Sequence, residues 1–153
     1  MTGPMPSSTP APLQPEALKR VRESFSRQGL VGTLGAWLVE LDTGRAVIEI
    51  PYSNRVAGQS GRFHSAVVTG IAQACGGSAA GTLVAEGTAL AAGTIDMTFT
   101  GATDGDLLRA EGRAAADGPD RWKVTVEVTC RRGEAFATSA NGTLAFVVRS
   151  KTG

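Results

Sequence analysis

The apolar and polar positions of this chain change rhythm three times, and the stretch between the last two changes organises the rest. Residues 61–83 read GRFHSAVVTGIAQACGGSAAGTL: a tight Gly61-Arg62-Phe63-His64 loop, then a run of small and apolar residues that carries no charge. Within it Val67, Val68, Ile71, Ala72 and Cys75 recur at helical spacing, which predicts a helix over residues 65–82. A helix that is apolar or small all round must be buried on most sides. Gly70, Gly76, Gly77 and Gly81 each weaken it in isolation by about 1 kcal/mol relative to Ala. Other elements therefore have to wrap it closely, and its small side chains permit that approach. Polar and small residues interrupt the run, so it does not read as a membrane span.

Before this run, residues 15–28 predict a short amphipathic helix. Leu18, Val21 and Phe25 share one face, while Lys19, Arg20, Arg22 and Glu23 turn to water. Pro15 suits its first turn and Gly29 its C-terminal stop. The period then falls to two. Residues 33–41 place Trp37, Val39 and Leu41 on one side of a strand; after Asp42-Thr43-Gly44, residues 45–50 return with Ala46, Ile48 and Ile50 on one face, a hairpin pattern. Pro51 ends it, and a polar loop over residues 52–61 leads into the central helix.

Four strands are predicted after the helix. Residues 90–100 set Ile95, Met97 and Phe99 against Thr94, Asp96, Thr98 and Thr100. Residues 107–116 set Leu108, Ala110, Gly112 and Ala114 against Arg109, Glu111 and Arg113. Residues 121–131 alternate most cleanly, with Trp122, Val124, Val126, Val128 and Cys130 on one side. Residues 134–149 are apolar on both faces near 144–148, which predicts a central strand, with Asn141-Gly142 marking a bulge or bend. Residues 1–13, rich in Pro, Ser and Thr, have too little apolar surface to pack and are expected to form a disordered tail. A single domain over residues 14–153 follows. Strands grouped around a segregated helix argue for an α+β fold, an antiparallel sheet curled around the central helix.

Composition narrows the function classes. A net charge of +1 and a mean hydropathy of zero show neither a nucleic-acid footprint nor a membrane-surface bias. The high glycine content, 20 of 153 residues, favours close backbone approaches over a Leu-rich bundle. Cys75 and Cys130 make no disulfide framework and have no zinc-type spacing, so no metal site is expected and both read as small core residues. No charged region followed by an apolar one opens the chain, so no signal peptide is expected and a cytoplasmic location is the default.

The order of elements resembles the hotdog fold. The stretch Gly61-Arg62-Phe63-His64-Ser65-Ala66, followed by Ile71-Ala72-Gln73 and Ala79-Ala80 and then by the strand Thr94-Ile95-Asp96-Met97, carries the likeness further. It is similar to the signature of PaaI-type acyl-CoA thioesterases of the 4-hydroxybenzoyl-CoA thioesterase superfamily. That signature runs Gly-x-x-His-Gly/Ala-Gly, with a carboxylate nine positions after the His, and the resemblance spans about residues 33–150. It implies a hydrolase acting on a small or aromatic acyl-CoA, with no cofactor beyond the coenzyme A of the substrate. It also implies a site shared between two subunits, hence a homodimer or homotetramer.

The resemblance further implies roles for residues. The Ser65 backbone N–H polarises the thioester carbonyl. A helix N-terminus suits this, since it offers unpaired N–H groups and partial positive charge, and such a donor contributes roughly 3 kcal/mol to a transition state. His64 either contacts the thioester or holds the loop backbone. Gln59 falls at or beside a position that orients water or substrate, and Thr94 where relatives carry a strand hydroxyl. Phe63 and Asp96 lie in the same motifs as substrate-binding candidates. Arg131 and Arg132, beside a glycine turn, are candidates for the coenzyme A phosphates.

One position departs from the pattern. Nine residues after His64 stands Gln73, and no Asp or Glu occurs between Glu49 and Glu86. A carboxylate there would attack the thioester or activate water. An amide has no basic form to do either, but it can hold water or substrate by hydrogen bonds. Two readings follow: a thioesterase in which Gln73 positions water, or a non-hydrolytic protein that binds acyl-CoA or an acyl-carrier thioester.

Overall fold

The charge-free run folds as a helix laid across a six-stranded sheet. The computed structural model describes residues 15–149, so the tail expected over residues 1–13 lies outside the described residues. In chain order the elements are α1 (Pro15–Ser26), α2 (Gly29–Leu34), β1 (Trp37–Asp42), β2 (Arg45–Pro51), α3 (Ser65–Gly81), β3 (Ala89–Phe99), β4 (Leu107–Ala116), β5 (Arg121–Arg132) and β6 (Ala135–Arg149). Short 3-10 turns at Asn54–Val56 and Gln59–Gly61 fill the segment before α3. The sheet is antiparallel throughout, in the order β1-β2-β4-β5-β6-β3. The α+β arrangement expected from the sequence is present, with α3 touching every strand.

Small side chains set the distance between helix and sheet. Val68, Ile71, Ala72, Cys75, Ala79 and Ala80 are buried in one core with Ala46, Ile48, Leu108, Ala110, Val124 and Leu144. A Cβ at Gly112 of β4 would stand 3.1 Å from Cys75 Sγ, and one at Gly76 would stand 3.0 Å from the Phe146 ring. Either carbon would make its neighbour give way by a few tenths of an ångström, so glycine suits this spacing. Cys75 Sγ donates to the carbonyls of Ala46 and Ala110 (3.2 and 3.5 Å). Burial pushes its thiol up to about 12, so it stays protonated and serves as a packed core group rather than a nucleophile.

Four expectations need correction. The segment at 29–34 is helical, so Gly29 begins α2 instead of only stopping α1 and no strand starts at residue 33; Leu30, Val31 and Leu34 have the spacing of one helical face. In β1 the register slips at Val39. That bulge reverses the alternation, so Leu38 and Leu41 oppose the core residues Ile48 and Ala46 while Trp37, opposite Glu49, is 68% exposed. β6 has a neighbour on each side, which explains its apolar character, but it lies one strand in from the edge. Its irregularity is at Ser139, where Val128 pairs with Ala140 and Thr129 with Thr138. Asn141 and Gly142 are in register with β5 and β3.

The face of the sheet turned away from α3 is closed by charge. Arg45 donates to Glu40 (2.9 Å) and Glu111 (3.0 Å), Arg109 to Glu49 (3.0 Å), and Arg113 to Glu111 (2.7 Å). Val47, opposite Glu40 and Glu111 in the two ladders, is fully buried on this face and separate from the main core. The Arg45 guanidinium, hydrogen-bonded to Glu111, holds that carboxyl below its ordinary value. A carboxylate depressed in the folded state stabilises above its unfolded pKa, about 4.3 for Glu, and loses that contribution as pH falls through the folded value. Because these groups are partly exposed, the pair is worth about 1 kcal/mol or less. Glu111→Gln is therefore expected to lower the Tm at pH 7 by up to ~4 °C. In thermal melts the gap from the parent should close as the pH falls through the depressed folded-state value of Glu111; a gap that persists in acid would mean the pair is not its cause.

Candidate active site

The segment before α3 is held at every peptide that aims the helix start. Ser60 and Gly61 both adopt left-handed backbone (φ 60° and 71°), which folds the chain back on itself. Gly58 N–H donates to the Arg62 carbonyl (2.6 Å) and His64 N–H to Val56 (2.9 Å). Phe63 N–H donates to the Thr103 carbonyl (3.0 Å), and Thr103 Oγ1 donates back to the Phe63 carbonyl (2.9 Å). Phe63 is buried and meets Tyr52 edge-on, with ring centroids 5.3 Å apart. Its role in the chain is to anchor the loop; it presents no surface to a ligand.

The first turn of α3 shows why His64 matters. His64 is the N-cap, and its Nδ1 accepts from the Ala66 N–H at 2.9 Å. As an acceptor Nδ1 carries no proton, which leaves Nε2–H as the outward donor. The Val67 and Val68 N–H groups donate to the His64 carbonyl (2.9 and 3.3 Å). Only the Ser65 N–H of this turn has no acceptor among the described residues. Of the two readings of His64, a hydrogen bond to backbone is the one visible within the chain, made to the first turn of α3 instead of the loop, and the residue is exposed.

Gln73 lies on the open stripe of α3, two helical turns beyond Ser65, and borders a cavity of about 250 Å³ enclosed by α2, α3, β2 and β3. Eight residues separate Ser65 from Gln73, about 12 Å along a helix, so one chain does not bring them together. Gln59 sits exposed in the 3-10 turn before Gly61, its carbonyl accepting from Arg62 N–H at 3.4 Å.

The remaining candidates lie elsewhere. Thr94 opposes Ala145 just past a bulge at Gly93, and with Asp96 it falls on the sheet face away from α3. Asp96 borders a larger groove of about 600 Å³ on that face. Arg131 makes a two-pronged ion pair with Asp106 (3.0 and 3.2 Å), and Arg132 pairs with Asp104. The guanidinium of Arg131 holds the Asp106 carboxyl below its usual range. Both arginines are thus neutralised where they stand, which weakens them as phosphate ligands. Two features escaped sequence reasoning: α2, which walls the cavity, and the 100–106 loop, whose Thr103 braces Phe63. The helical spacing of Leu30, Val31 and Leu34 was a readable signal for the first; the second needed the folded chain. Arg55 and Arg62, on the loop before α3, have no ion-pair or hydrogen-bond partner for their side chains among the described residues.

No family model matches the sequence, nor does any curated protein. Solved structures match the fold. A thioesterase family protein from Silicibacter pomeroyi superposes with a TM-score of 0.83 at 24% identity, covering 86% of this chain and 97% of that one. The PaaI protein of the phenylacetic acid degradation operon of E. coli does so with 0.76 at 16% identity, covering 90% and 96%. A hypothetical thioesterase from Streptococcus pneumoniae, solved with coenzyme A, gives 0.70 at 15% identity, covering 84% and 96%. The chain therefore has the hotdog fold of thioesterases, as the order of its elements led us to expect.

The cap yields a direct test. Losing an N-cap acceptor costs about 1 kcal/mol, or roughly 2–4 °C in Tm for a chain of this size. His64→Ala is expected to show that loss in calorimetry, and His64→Asn, which keeps a short acceptor, to recover most of it. Equal losses in both variants would mean that the Nδ1 contact is not what stabilises the turn.

Proposed function

We propose that this protein is an acyl-CoA thioesterase in which the Ser65 N–H polarises the thioester carbonyl and Gln73 holds the attacking water. The observation that carries the reading is the single unpaired N–H in an otherwise satisfied first turn of the central helix. In this scheme the carbonyl oxygen accepts from Ser65 N–H, and water held by Gln73 adds to the carbonyl carbon. The oxyanion collapses, the C–S bond breaks, and a carboxylic acid and the thiol of coenzyme A leave. Gln73 cannot keep the proton lost by water, so that proton passes to solvent or to the departing sulfur. This predicts slow turnover. The coenzyme A held by the pneumococcal neighbour supports the carrier. The absence of any helix long and apolar enough to cross a membrane among the described residues is compatible with the cytoplasmic location we propose.

The site needs a second copy, because Gln73 of one chain cannot reach its own Ser65. β3 is an edge strand, and its Ile95 and Phe99 share the face of α3 yet are 38% and 48% exposed. Such an edge is ordinarily paired or covered. We place the dimer along β3, with doubling to a tetramer open. Phe99→Asp is expected to shift the protein to monomer in light scattering at micromolar concentration and to cut thiol release at least tenfold. A parent that is itself a stable monomer would remove the shared site.

The second reading, a binding protein for an acyl-CoA or acyl-carrier thioester, is favoured by the same Gln73. Thiol release from a short and an aromatic acyl-CoA by the parent, Gln73→Ala and Gln73→Glu separates the two. General-base assistance is worth about 10²- to 10⁴-fold, so Gln73→Glu is expected to raise the rate at least tenfold. Its apolar surroundings raise a carboxyl's pKa, so the gain should grow as pH rises toward 9. A parent faster than both variants would make Gln73 itself the functional group. Silence from all three, with the esters bound, would leave the binding protein.

A further inference from the structure

We infer that the cavity beneath α2 is the acyl pocket of this site, and that it selects uncharged acyl groups of up to about eight non-hydrogen atoms, with Gly70 setting the limit. The inference rests on the function proposed above and adds its substrate class. The cavity measures about 250 Å³ and is walled by Val31 and Leu34 of α2, Ile71 of α3, Leu90 of β3 and Phe146 of β6. Its polar side chains are the amides of Gln28 and Gln73; no charged residue lines it. Gln73 therefore stands where the proposed chemistry and the apolar space meet, and a thioester carbonyl held beside it directs its acyl group inward.

Size and polarity follow from the walls. An apolar cavity of about 150 Å³ already takes benzene, and a water-sized group fills roughly 30 Å³. At that packing about 250 Å³ holds about eight non-hydrogen atoms, a ring with a short spacer or a chain near C8. Each methylene moved from water into such a space is worth about fourfold in an equilibrium or rate constant. A carboxylate buried there finds no cation, so a dicarboxylic acyl group is strongly disfavoured.

Gly70 faces the same space, and a Cβ built on it meets nothing within 4 Å. A larger side chain there starts in open space and leads toward the cavity. Replacing a helical glycine also favours the helix, so the folding of Gly70→Leu is protected. Leu34→Ala works in the opposite direction, enlarging the pocket from the α2 side.

The test uses the full chain and saturated acyl-CoAs from C2 to C16, with phenylacetyl-CoA and succinyl-CoA, read by thiol release and by calorimetric binding. In the parent, kcat/KM and affinity are expected to rise at least tenfold per two carbons to near C8 and then level or fall, with succinyl-CoA at least 100-fold below hexanoyl-CoA. Gly70→Leu should lower the octanoyl-to-butyryl ratio at least tenfold, and Leu34→Ala should move the optimum to longer chains. Hydrolysis that ignores chain length and is unchanged in ratio by both variants would overturn the pocket while leaving the thioesterase reading in place. Without hydrolysis, binding decides alone: length-dependent affinity shifted by Gly70→Leu upholds the pocket, and flat affinity or no binding overturns it.

Discussion

The close approach of α3 to the sheet is the constraint on which the other features depend. A carbon added at Gly112 would press on Cys75, and one added at Gly76 would press on the Phe146 ring. A helix this rich in glycine is a poor helix alone, so its stability comes from burial against β2, β4 and β5. The face left over is equally a product of that packing. Once Val68, Ile71, Ala72, Cys75 and Ala79 are committed to the core, Gly70, Gln73 and Gly77 must look outward into the space that α2 encloses.

The same economy operates at the helix start. Hydrogen bonds fix the peptides on either side of the helix start, and among the described residues the first turn of α3 keeps one unpaired N–H, that of Ser65. Phe63 is pinned from both sides by Thr103, and His64 caps the next turn with its ring and its carbonyl. A residue that reads as a catalytic candidate in the linear motif thus has a mechanical role in the chain, fixing the direction of the Ser65 N–H. In the reaction proposed above, preorganisation of this kind would make a lone donor effective, because nothing has to reorient when charge develops on an oxygen.

Charge is distributed so as to leave the site side of the molecule uncommitted. The carboxylates and guanidinium groups of β1, β2 and β4 neutralise one another on the opposite face of the sheet, over Val47. Arg131 and Arg132 are matched by Asp106 and Asp104. Asp96 lies on that opposite face as well. Within one chain, then, nothing on the helix supplies a base, and Gln73 is the polar group from which any chemistry at that position must be built.

The sequence by itself determined the α+β class, the central helix to within a residue or so of its ends, and five of the six strands closely. These rest on local periodicity, and burial on one face writes that periodicity directly into the chain. It also placed His64 and Ser65 at the start of that helix and Gln73 two turns along it, because a helix start and a fixed spacing along a helix are local facts. Only the tertiary structure decided the rest. The bulge at Val39 turned Trp37 outward, since one extra residue in a ladder reverses every side chain beyond it. Segment 29–34 became a helix whose Val31 joins the main core and whose Leu34 packs against it, contacts that no window of sequence contains. Phe63 passed from candidate ligand contact to buried anchor, and Arg131 and Arg132 from candidate phosphate ligands to paired ions, because their partners are distant in sequence: Thr103 for the first, Asp106 and Asp104 for the others. Placement on one turn of helix is legible in a sequence; which distant group arrives beside a side chain is settled by packing.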